Sequence, residues 1–77
     1  MNKHIIIDQS ILLGKPIIAG TRISVELILK MLAQGVSHQE ILIDYPDLSE
    51  ADILATLEYA HSTVAEEEVY HVEPAIS

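Results

Sequence analysis

The chain of 77 residues contains no cysteine, no tryptophan and no phenylalanine, and only three glycines and three prolines. Without cysteine there is no disulfide to brace a small fold and no thiolate to ligate zinc or attack a substrate. Cations are scarce: four lysines and arginines face twelve acids, for a formal net charge of -8. Long apolar runs are missing too. The opening "MNKHIIIDQS" holds a three-residue apolar run before Asp8, where a secretory signal needs about 7–15 such residues. No stretch approaches the roughly 18 apolar residues of a membrane span. These absences predict a cytoplasmic protein with no membrane partner.

Aliphatic side chains are plentiful instead. Isoleucine, leucine and valine supply about a third of the residues. A chain this short buries a smaller share of its surface than a typical domain, so this much aliphatic area exceeds what one small core hides. A second copy of the chain is the expected cover. The charge is also divided. All four cations (Lys3, Lys15, Arg22 and Lys30) lie in residues 1–38, beside only two acids, Asp8 and Glu26. Residues 39–77 carry the other ten acids and no lysine or arginine. Acidity of this kind keeps a small protein soluble, or it marks two surfaces suited to different partners.

Residues 4–23 read as short strands and turns. "HIII" and "PII" are β-branched runs, punctuated by Gly14-Lys15-Pro16 and Ala19-Gly20-Thr21. Successive isoleucines point to opposite sides of a strand, so these strands are apolar on both faces and need helices or another chain against them. Helical signals follow. Ser24 caps "VELILKMLAQ" and Gly35 stops it. On that helix Glu26, Lys30 and Gln34 form one polar stripe, with Glu26 four residues before Lys30. The rest of its circumference is apolar and calls for burial on several sides. Ser37 with Glu40 and Ser49 with Asp52 repeat one capping box. Each has an apolar residue ready to staple it, Val36 to Ile41 and Leu48 to Ile53. Pro46 ends the earlier of these helices by about Tyr45. The later one runs through Ile53, Leu54, Leu57, Ala60 and Val64, on one face.

The expected fold is mainly α: short N-terminal β-strands, then a three-helix homeodomain-like, helix-turn-helix core with helices at 24–34, 37–45 and 49–65. Residues 1–65 form one domain and 66–77 an acidic C-terminal tail. Ile5, Ile7, Ile17 and Ile18 of the strands and Leu29 and Met31 of the first helix are the candidate dimer interface.

Chemistry-bearing motifs are few. The glycines and Lys15 do not make a nucleotide-binding loop, because Pro16 follows Lys15 and no glycine stands five residues before Gly14. They serve as turn residues able to take positive φ. Lys15 and Arg22, with Thr21 beside Arg22, are the candidate DNA contacts. The two cations can touch phosphates or neutralise acidic helices of the same chain or a second subunit. The helix from Ser49, which a helix-turn-helix protein would lay in a DNA groove, carries Glu50, Asp52 and Glu58 and no cation. It repels the backbone, so any DNA must meet the N-terminal segment. His4, His38, His61 and His71 show no ligand spacing, and the serines fit caps and turns; neither metal, cofactor, catalysis nor a small-molecule substrate is indicated. The tail "AEEEVYHVEPAIS" is either a solvated end or an element that orders on a partner. In the second case Glu66, Glu67, Glu68, Val69, Tyr70 and Val72 are the candidate contacts.

Over about residues 10–60 the chain resembles the small prokaryotic family catalogued as "domain of unknown function 433". The likeness rests on Gly14-Lys15-Pro16, Gly20-Thr21-Arg22-Ile23, the Gly35-Val36-Ser37 entry to a helix with Glu40-Ile41, Tyr45-Pro46-Asp47-Leu48 and a closing Tyr59-Ala60. It departs at Ala19, where many members carry a basic residue. The resemblance implies a homeodomain-like core and an antitoxin-like role: binding and neutralising a PIN-like ribonuclease toxin, with operon autoregulation. It implies no enzymatic activity. PIN-like active sites are acidic, so inhibition needs a basic group such as Arg22, or a tail bound away from the centre. A DNA-binding regulator and a structural dimerisation module are the alternatives.

Overall fold

The computed structural model of the chain describes residues 2–68. Two three-residue strands, β1 (Ile5–Ile7) and β2 (Pro16–Ile18), pair antiparallel and lead into three helices: α1 (Val25–Ala33), α2 (His38–Asp44) and α3 (Glu50–Glu68). The fold is mainly α, with the small sheet preceding the helices. Ile5 faces Ile18, Ile6 faces Ile17 and Ile7 faces Pro16. The connection between the strands holds one turn of left-handed backbone: φ is 50° at Leu12, 57° at Leu13 and 82° at Gly14. Two leucines in this conformation are unusual and strained. At Gly14 the positive φ is what disfavours a side chain; an added Cβ would also meet the Gln9 amide, 2.7 Å from Nε2, but that flexible, exposed side chain can move aside.

The helix boundaries follow the capping chemistry. Ser24 Oγ accepts from the Leu27 amide at 3.0 Å. Gly35, at φ 88°, closes α1 by donating to the Leu32 carbonyl while Val36 donates to Met31, both at 3.0 Å; this double bond is the Schellman stop. Both capping boxes form. Ser37 and Glu40 exchange bonds of 3.0 and 3.1 Å, and Ser49 and Asp52 bonds of 3.0 and 3.2 Å. Tyr45 leaves the helical region before Pro46. The last helix runs to Glu68, three residues past its expected end at 65, so Glu66 to Glu68 belong to α3.

One core joins the layers. Ile18, Val25, Ile28, Ile41, Leu48 and Ile53 cluster at its centre, with Val36, Tyr45 and Tyr59 against it. Ile17 and Ile18, expected at a dimer interface, are 0% and 1% exposed within the single chain. β2 packs on α1 and β1 on α3, so β2 is covered within its own chain. The expected face of α3 is corrected as well. Ile53, Ala55 and Thr56 point inward, whereas Leu54, Leu57 and Val64 are 54%, 40% and 50% exposed. Inward residues recur on the Ile53–Thr56 side because the rest of the fold meets α3 from one direction only; Leu54 lies about 100° round the helix from Ile53. The buried Thr56 hydroxyl is satisfied by the Asp52 carbonyl at 3.0 Å.

Candidate functional site

The segment from Gly14 to Arg22 is a pair of turns around β2, and its side chains are largely used in holding them. Thr21 Oγ1 donates to the Ile18 carbonyl and accepts from the Ile23 amide, both at 2.9 Å. The hydroxyl of this candidate DNA contact is therefore engaged in holding the turn. Lys15 Nζ lies 3.0 Å from Glu26 Oε1 on α1, an exposed ion pair. This is the same-chain neutralisation that the sequence left open. It also takes Glu26 from Lys30, the partner expected four residues along. Arg22 is exposed and, among the described residues, makes no hydrogen bond or ion pair within 4.0 Å. Lys15, with a single exposed contact to Glu26, also keeps ammonium donors available.

A second region lies along α3. An open groove of about 540 Å³ runs between β1 and α3, with Ile5, Ile7 and Tyr59 along its apolar walls and Glu58 and Glu66 at its edge. Ile5 is half-buried and Ile7 is 61% exposed, so these two dimer-interface candidates do reach a surface. Leu29 and Met31 are half-buried and packed against the core cluster. Leu29 also borders a smaller hollow of about 270 Å³ with Pro16 and Val25. Of the tail candidates, Glu66 is exposed on α3 and Glu67 and Glu68 continue the helix. Val69, Tyr70 and Val72 lie outside the described residues.

Two contacts had no signal in the sequence, because they join residues far apart. His4 Nδ1 donates to the Asp52 carboxylate at 2.8 Å, tying β1 to the first turn of α3. His38 Nδ1 donates to Glu50 at 2.8 Å, tying α2 to α3. Partial burial pushes the Asp52 carboxyl up, but the bonds from His4 and Ser49 outweigh it and hold the group below its usual range. Asp8 is also lowered, by bonds from the Ser10 hydroxyl and amide. Among the described residues no three His, Asp or Glu side chains converge. No helix there is long and apolar enough to cross a membrane.

With these surfaces in place, comparison with known proteins decides the family. The model described as "Protein of unknown function (DUF433)" matches residues 5–60, a span that takes in both strands, α1, α2 and the core-facing half of α3. The chain belongs to the DUF433 family. A crystal structure of a DUF433 member protein from Anabaena variabilis is similar over 87% of this chain and 66% of that one, with 27% identity and a TM-score of 0.75. This DUF433 chain therefore spans a little under two thirds of that relative's length. No curated protein matches it. The family model's match stops at Ala60, whereas the likeness to the Anabaena structure, at 87% of the chain, reaches past it.

Proposed function

We propose that this protein is an antitoxin-like interaction module: a homodimer that binds and neutralises a PIN-like ribonuclease. The reading is carried by the outer half of α3. From Ala60 to Glu66 no residue is buried, yet the helix continues, with Val64 half exposed and acids at its end. Acids at a helix C-terminus oppose the helix dipole, and a helix end without a packed apolar face lacks the tertiary contacts from which most helical stability comes. A helix end of this kind is stabilised by a macromolecule lying against it. The family resemblance supplies the class of that macromolecule. Sequestering the nuclease lowers its free concentration by mass action, and Arg22 is the cation suited to an acidic catalytic centre.

The test is direct. The chain is co-expressed with the product of the gene beside its own, any complex is isolated, and RNA cleavage by that product is titrated with added chain. Stoichiometric loss of cleavage supports the reading, and undiminished cleavage at tenfold excess overturns it. Arg22→Ala is expected to weaken inhibition while leaving the fold intact.

A further inference from the structure

β1 is an edge strand: it pairs with β2 on one side and is open on the other. The ladder's alternation says which groups face out. The Ala19 amide donates to the His4 carbonyl at 2.8 Å, and the Ile18 amide turns the other way, to the Ile23 carbonyl at 2.9 Å. His4 and Ile6 therefore direct their backbone groups at β2, while Ile5 and Ile7 direct theirs at the open edge. There the Ile5 amide makes only a long bond of 3.4 Å to the Asn2 carbonyl. Among the described residues no backbone partner meets the Ile5 carbonyl or the Ile7 amide and carbonyl. An edge of this kind is a template for another strand.

The same edge borders the groove against α3. Asn2 Nδ2 donates to the Ala55 carbonyl at 2.8 Å, so the chain before β1 is pinned to α3. The α3 wall is the row Glu58, Ser62 and Glu66, and no lysine or arginine lines the groove. Eight residues of helix set the two glutamates about 12 Å apart along the axis. Four residues of extended chain span about 13 Å, and alternate side chains share a face. A strand laid on the β1 edge therefore brings a cation to each glutamate and an aliphatic side chain between them, over Ile5, Ile7 and Tyr59. We propose that this groove takes an extended segment of the partner, with cation, aliphatic and cation at alternate positions, as an added strand on β1. The proposal rests on the nuclease reading above and names the part of that protein that meets α3. Charge selects this occupant. The chain's own residues 69–77 contain no lysine or arginine, a second copy brings twelve acids against four such cations, and both carboxylates repel nucleic acid.

Two titrations test it. In one, the full chain receives a synthetic heptapeptide of threonines with lysine at its second and sixth positions and isoleucine at its fourth. Amide NMR shifts are expected at Ile5, Ile7, Ser62 and Glu66. A peptide with glutamate in place of both lysines should bind about tenfold or more weakly. Equal binding of the two peptides, or shifts confined to other residues, overturns the groove. In the other titration the chain binds the product of the neighbouring gene. Glu58→Lys and Glu66→Lys together should weaken that complex about tenfold, and added salt should weaken the wild-type complex. Ile7→Pro, which removes an outward amide, should cost about as much, and Ile7→Val little. Both glutamates are exposed, so their variant should keep its circular dichroism and give the answer if Ile7→Pro does not fold. Wild-type affinity in that double variant overturns the groove and leaves nuclease binding standing. A product that does not bind, beside a lysine peptide that does, overturns the nuclease reading and leaves the groove.

Discussion

Asp52 does three things at one position. Its carboxylate closes the capping box with the Ser49 amide at 3.0 Å and accepts from His4 at 2.8 Å, while its carbonyl satisfies the buried Thr56 hydroxyl. Only the first was legible in the chain, since Ser49 and Asp52 are three apart. His4 is 48 residues away, and no local pattern announces such a contact. Asp52→Ala is expected to destabilise the fold by about 1 kcal/mol at neutral pH, the usual worth of a cap. The pH dependence has a definite sign. The carboxyl is lowered on folding, so its contribution is complete above the unfolded value of about 4 and is lost as pH falls toward the folded value. Melting temperatures of the wild type and Asp52→Ala, measured from neutral to about pH 2, should therefore converge at the acid end; a constant gap would remove the carboxylate from the account.

At the scale of elements, ends were legible and faces were not. Ser24, Ser37, Ser49, Gly35 and Pro46 act through neighbours a few residues away, and each marks its boundary where expected. Orientation depends on what lies across the fold. The β-branched strands were read as apolar on both sides, yet Ile17 and Ile18 are buried and Ile7 is open. On α3, periodicity grouped Ile53 with Leu54 and Leu57, but α1, α2 and β1 all meet the helix from one side and divide that group. The division sets the outcome of alanine substitution. Ile53→Ala is expected to destabilise by about 2–5 kcal/mol, as a cavity in a packed core does. Leu54→Ala, half exposed, should change chemical denaturation of the monomer by under about 1 kcal/mol. Equal effects would contradict the facing described.

At the scale of the molecule, charge and shape act together. The chain carries a net charge of -8, with ten of its twelve acids in residues 39–77 and all four lysines and arginines in residues 1–38; the described body has a Cα radius of gyration of 14.4 Å. Self-repulsion of this kind weakens the compact state at low salt. The melting temperature is expected to rise as salt is increased from about 0.02 to about 0.5 M, measured below the concentration at which the chain pairs. A fall would mean that the Lys15–Glu26 pair and its like contribute more than the repulsion. For exposed pairs worth about 0–1 kcal/mol that would be unexpected.

Caps, stops and periods arise from contacts within one turn of the chain, so the amino-acid sequence alone determined the element order, the helix ends and the excess of aliphatic surface. Which side of each element is covered, and which cation finds a partner, depends on groups brought together from distant positions. Only the tertiary structure could place Glu26 on Lys15, spend the Thr21 hydroxyl on a turn, and direct Leu54, Leu57 and Val64 away from the core.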